Sequence, residues 1–142
     1  MSAPDAGFEF QEHTADVKLH VWGDTLAALF QAAATGFYRL IGELVSTDVG
    51  ETVTIELQAP DATDLLHDWL AELLFRFDTR HLHISEIEFA QISDAYLSAT
   101  GQGRRVDLER SRFDSEIKAV TYHGLEVKQR RGRYEATVIL DL

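Results

Sequence analysis

Val17-Lys18-Leu19-His20-Val21-Trp22 alternates apolar and polar residues with a period of two, and after Gly23-Asp24-Thr25 the period changes. Leu26, Leu29, Phe30, Ala33, Phe37, Leu40 and Ile41 then recur at steps of three and four. The first pattern is that of a strand with one face in a core, and the second is that of a helix with a broad apolar stripe. Gly23-Asp24 supplies the turn between them, and Asp24 or Thr25 can cap the helix. A half-buried strand leading into a core-facing helix places the chain among folds that mix the two element types.

Working outward, residues 8–11 also alternate, so the first helix is preceded by a strand pair or one broken strand. Beyond the helix, Val53, Ile55 and Leu57 alternate with polar neighbours in a strand with one wet face, which Pro60 ends. Asp61 or Thr63 caps a second helix, where Leu66, Trp69, Leu70, Leu73, Leu74 and Phe77 form the apolar stripe. Asp64, His67, Asp68 and Glu72 lie off it and read as solvent-side.

From His81 the pattern is β again, with a change of phase at Ser85-Glu86 that predicts a bulge or a bend, followed by a strand over residues 95–100. Gly101-Gln102-Gly103 and the charged stretch to Asp114 read as a mobile loop. Strand character returns over residues 117–122, and Leu125 and Val127 pair across Arg130-Arg131-Gly132-Arg133 with residues 134–140. The expected architecture is α+β, two amphipathic helices packed on a largely antiparallel β-sheet.

At 142 residues the chain fits one domain, with residues 1–7 expected as a flexible leader and residues 8–142 as the folded unit. No cysteine is present, which removes disulfides, thiolate nucleophiles and sulfur-ligated zinc. A formal net charge of −11 argues against autonomous nucleic-acid binding and favours a basic protein partner. Neither a secretory leader nor a membrane-length apolar run occurs, so the expected compartment is the cytoplasm.

The chain closes on Val138-Ile139-Leu140, a core-strand pattern, followed by Asp141 and the carboxylate of Leu142. Two anionic groups at the tip of an anchored strand suit a hard divalent cation. Asp16, between two apolar alternations, is the natural third oxygen donor. Lys118 lies on an otherwise apolar strand, where it either snorkels to water or contacts a phosphate or carboxylate. His13 and His123 could act as bases or metal ligands, or stand behind the ligands of a metal, but no nucleophile elbow, triad or complete nucleotide-binding glycine motif is present.

Phe10-Gln11-Glu12-His13-Thr14-Ala15-Asp16-Val17, Leu65-Leu66-His67-Asp68-Trp69-Leu70-Ala71-Glu72-Leu73-Leu74, Ile117-Lys118-Ala119-Val120-Thr121-Tyr122-His123 and Leu140-Asp141-Leu142 together resemble the archease family. The resemblance implies an accessory protein, not itself an enzyme, that activates the tRNA-splicing RNA ligase by promoting guanylylation of the ligase's active-site histidine and multiple turnover. It further implies a divalent metal, described as calcium, with its ligands falling on Asp16, Asp141 and Leu142, and a role for Lys118 in activation. Lys18 departs from the family pattern, where a small residue is expected. The alternative from another class is a small metal-dependent hydrolase using Asp16, Asp141 and His13 or His123 to activate water.

Overall fold

The computed structural model describes residues 6–12 and 15–142. Strand β1 (Ala6–Glu12) pairs antiparallel with β2 (Asp16–Gly23), and His13 between them lies outside the described residues. The first strand begins at Ala6, inside the segment expected as a leader, while residues 1–5 lie outside the described residues. In β2 the period-two reading holds: Val17, Leu19 and Val21 are fully buried, whereas Lys18 is exposed.

Helix α1 (Leu26–Ile41) starts where Thr25 Oγ1 accepts the Ala28 amide hydrogen at 3.0 Å, so Thr25 rather than Asp24 is the cap. It ends at Gly42 in the short strand β3 (Gly42–Glu43). At Gly42 φ is 154°, and an added Cβ would sit 1.9 Å from the Arg112 carbonyl oxygen, so only glycine fits. After β4 (Ser46–Gln58), helix α2 (Ala62–Arg80) is capped by Asp61, whose carboxylate accepts from the Asp64 amide at 2.8 Å. Thr63, the other expected cap, instead accepts the Val127 amide hydrogen at 3.0 Å and ties a distant segment to the start of the helix. The α2 stripe is buried as read, and Trp69 Nε1 donates to the Phe30 carbonyl at 3.0 Å, fastening the two helices together.

Strands β5 (Leu82–Ile92) and β6 (Tyr96–Val106) follow, then β7 (Arg112–Phe113), β8 (Ala119–Val120), β9 (Lys128–Arg130) and β10 (Arg133–Asp141). The phase change at Ser85-Glu86 is a β-bulge, with Glu86 at φ 51° and the β5–β6 register shifting between Ser85 and Glu88. The segment expected as a mobile loop from Gly101 to Asp114 is strand in part: β6 runs straight through Gly101-Gln102-Gly103 to Val106 and β7 takes Arg112–Phe113, with a turn between them. Glycine there reflects close packing, because a Cβ on Gly101 would lie 2.8 Å from Ile84 Cγ2. The strand expected over residues 117–122 shrinks to Ala119–Val120.

All pairings are antiparallel. One sheet has the order β1-β2-β10-β8, with β9 also on β10; a second has β4-β6-β5; and β3 pairs with β7. Helix α1 lies on β1 and β2 while α2 lies on β4, β5, β6 and β8, so the two helices bridge the sheets around one apolar core. This is the expected α+β architecture. Among the described residues no helix is long and apolar enough to cross a membrane.

Candidate functional site

The site candidates gather at one end of the first sheet, where β2 begins and β10 finishes. Leu140 and Val17, directly paired and both fully buried, anchor that end in the core. The next pair is Asp141 with Asp16. Beyond it the Leu142 amide donates to the Ala15 carbonyl at 3.0 Å. Because residues 15 and 142 exchange a ladder hydrogen bond, the Asp16/Asp141 pair falls on a non-hydrogen-bonded position, where facing Cα atoms are only about 4.5 Å apart and side chains come closest. On the other flank of β10 the Lys118 amide donates to the Asp141 carbonyl at 2.8 Å. Residues remote in sequence, Asp16, Lys118, Asp141 and Leu142, thus meet at one sheet end.

Two carboxylates facing each other on adjacent strands repel, an arrangement that a cation relieves. Among the described residues neither has an ion-pair partner. Their oxygens are hard donors, with Leu142 the next residue along, and this carboxylate pair fits calcium or another hard divalent cation. No cluster of three or more His, Cys, Asp or Glu occurs among the described residues, so side chains alone give a two-carboxylate set. Lys118 is exposed, leaving its ammonium free to swing on its stem.

The two histidines expected near the metal divide. His13 lies outside the described residues. His123 is exposed and sits four residues past Ala119, the register partner of Asp141, in the direction away from the tip. It lies in the turn after β8, where its amide donates to Thr121 Oγ1 at 3.3 Å, and among the described residues it forms no metal-holding cluster with the carboxylates.

His67, read from the sequence as a surface residue, has a different role. Its side chain is 13% exposed, its ring stacks on Tyr122 with centroids 3.6 Å apart and planes 13° apart, and Nε2 lies 3.0 Å from the Val120 carbonyl oxygen. Nδ1 lies 3.0 Å from Asp68 Oδ1. The carbonyl can only accept, so Nε2 carries a hydrogen and donates it. Tyr122, exposed itself, has its phenol pushed up by partial burial and by the Asp68 and Asp64 carboxylates. Helix α2 thereby grips the short strand that leads from Lys118. The sequence signal was weak: His67 borders the stripe, three and seven residues before Leu70 and Leu74, but no local pattern pairs it with Tyr122.

On the far side of α1, a cavity of about 570 Å³ is lined by Tyr38, His83, Ile84 and their neighbours. The Tyr38 hydroxyl accepts the Ile84 amide hydrogen at 3.1 Å, and burial pushes its phenol far up. Burial pushes the His83 imidazole down. These groups bind α1 to the bulged strand β5.

The archease protein family matches the chain over residues 8–142. Protein archease of Methanopyrus kandleri is 36% identical over 134 residues, covering 92% of this chain and 96% of that protein. Protein archease of Methanosarcina barkeri is 32% identical over 146 residues, covering both chains fully (100% and 100%). The solution structure of protein 1598 from Methanobacterium thermoautotrophicum superposes with a TM-score of 0.72 at 31% identity, over 96% of this chain and 99% of that one. A crystal structure of an archease from Thermotoga maritima, described as a possible chaperone, has a TM-score of 0.70 at 19% identity over 100% and 98% of the chains, a likeness of fold alone.

Proposed function

The chain belongs to the archease family, and we propose that it is an accessory protein that activates a tRNA-splicing RNA ligase by promoting the ligase's guanylylation and multiple turnover. The observation that carries this reading is the convergence of Asp16, Asp141 and Lys118 at one sheet end, anchored by buried Val17 and Leu140. Asp16, Asp141 and the carboxylate of Leu142 would hold a divalent cation, calcium by family resemblance. When bound, the cation supplies positive charge that neutralises the facing carboxylates and can meet phosphate oxygens.

The chain's own residues do the rest. Lys118 offers three donors on a flexible stem and is suited to a phosphate at the partner's active-site mouth. Its backbone tie to Asp141 keeps that stem beside the carboxylates. Positioned charge is the main lever in phosphoryl and nucleotidyl transfer, so an anchored tip can order a nucleotide without performing chemistry itself. The net charge of −11 speeds encounter with a basic RNA-binding enzyme. The hydrolase alternative gains no support: among the described residues no histidine joins the two carboxylates in a metal-holding cluster, and the relatives are named for no hydrolytic activity.

The test is RNA joining by the ligase from the same source, at large substrate excess with guanosine triphosphate, with and without this protein. The expected result is a change from about one turnover to many. A competent ligase that gains nothing would overturn the reading. Lys118→Ala, at an exposed position, should alter stability by less than about 0.5 kcal/mol while impairing multiple turnover, and unchanged turnover would remove Lys118 from the mechanism.

A further inference from the structure

A cavity of about 410 Å³ opens between the end of α1, the second half of α2 and the segment that precedes Lys118. Its floor is apolar, made by Ile41, Leu74, Phe77, Phe113 and Ile117, and Asp78, Asp114 and Glu116 stand at its walls. Phe113 leaves 45% of its surface exposed there.

The three acids are not equivalent. Asp114 is already matched by Arg112, whose Nε and a terminal nitrogen reach its two oxygens at 3.1 and 3.2 Å. Asp78 and Glu116 have no ion-pair partner among the described residues. Partial burial first, and the Glu116 carboxylate second, push the Asp78 carboxyl up, with His81 opposing. An apolar floor with aromatic rings and two uncompensated carboxylates selects an occupant that is cationic at its head and apolar along its stem. Lysine meets that description in part. Arginine meets it more fully, since a planar guanidinium stacks on aromatic rings and forks toward two carboxylates.

We propose that this cavity docks an arginine side chain of a protein partner, its guanidinium held by Asp78 and Glu116 and its stem laid on Phe77 and Phe113. The proposal deepens the activator reading, on which it rests only for the partner's identity. Ile117 lines the cavity and Lys118 is the next residue, tied to the Asp141 carbonyl at 2.8 Å. A partner anchored in the cavity is therefore brought beside the carboxylate pair, and the cavity volume is of the size that small ligands and single side chains fill.

The probe is N-acetyl-arginine N-methylamide, titrated into the full chain and followed by amide chemical shifts, with the norleucine analogue as control. Saturable shifts confined to residues 74–78 and 113–117 are expected for the arginine compound. The doubly substituted Asp78→Asn/Glu116→Gln protein should bind it at least about tenfold more weakly. No saturable shift, equal affinity for norleucine, or unchanged affinity in the double variant would each overturn the proposal. Ligase activation, assayed beside probe binding, separates the two readings. Probe binding without ligase activation leaves the arginine site standing and removes the activator reading, whereas ligase activation without probe binding does the reverse.

Discussion

Replacing His67 by alanine removes three contacts at once: the Nε2 hydrogen bond to the Val120 carbonyl, the Nδ1 contact to Asp68, and the platform under Tyr122. The hydrogen bond contributes about 1 kcal/mol and the stacked pair about 0.5–1.5 kcal/mol. The Asp68 contact adds little, since that carboxylate is 39% exposed and screened by solvent. The sum is about 2 kcal/mol, or a fall in Tm of roughly 6 °C at this chain length. The loss should be local as well as global. Among the described residues strand β8 has two register pairs with β10, Leu140 with Val120 and Asp141 with Ala119, flanked by the Lys118 and Thr121 hydrogen bonds, so His67 adds a substantial share of what fixes it. Amide exchange at Lys118, bonded to the Asp141 carbonyl, and at Thr121, bonded to the Ile139 carbonyl, should quicken by about thirtyfold. Amides within α1 should change less. His67→Gln, which keeps a donor, should lie between the two. Unchanged exchange at Lys118 and Thr121, with Tm shifted by less than about 2 °C, would refute the assignment of His67 as the grip on this strand.

Asp16→Asn or Asp141→Asn removes the like-charge pair and should raise the stability of the metal-free protein by about 0.2–1 kcal/mol while abolishing any rise in Tm on adding calcium; thermal scans with and without calcium chloride check both, and an undiminished calcium-induced shift in either variant would exclude that residue as a ligand. His83 has its folded-state value lowered by burial, so the unfolded chain takes up the proton first: its contribution to stability is present above the ordinary histidine range and is lost as pH falls through that range toward the lowered value. Urea midpoints from pH 7.5 down to 5 should therefore decline less steeply in His83→Gln, and parallel curves would contradict this. Gly101→Ala presses a methyl group to 2.8 Å from Ile84 Cγ2 and 3.0 Å from the Ser85 carbonyl oxygen and should cost about 1–3 kcal/mol in urea unfolding; a neutral result would mean that β5 yields at its bulge.

Local periodicity carried the parts of the fold that are decided locally. The stripe of α2 and the alternation of β2 each depend on one buried face, and Val17, Leu19, Trp69 and Leu70 are all at 0% exposure. The bulge at Glu86 was legible because a phase slip moves every later side chain to the other face. Gly101-Gln102-Gly103 misled because glycine serves both turns and close packing, and only the position of Ile84 in the next strand decides between them. At the site, Asp16, Asp141 and Lys118 were named from the sequence and lie together at one sheet end, although no feature of the chain states that residue 16 faces residue 141. His67 and the cavity walls at Asp78 and Glu116 stayed illegible for the complementary reason. Their partners, Tyr122 and the residue 113–117 segment, are distant in the chain and lie in stretches that the structure leaves largely irregular, where pattern gives no register.

The Asp16/Asp141 pair joins residues separated by 125 positions in the chain. Few contacts close a longer loop, and such pairings form only once the entropy of bringing distant segments together has been met by the rest of the fold. No fragment of the molecule can therefore display the two carboxylates side by side. The tip acts as a certificate of completion: a partner that requires both carboxylates and the neighbouring lysine is, in the same act, selecting copies whose two halves have already found each other.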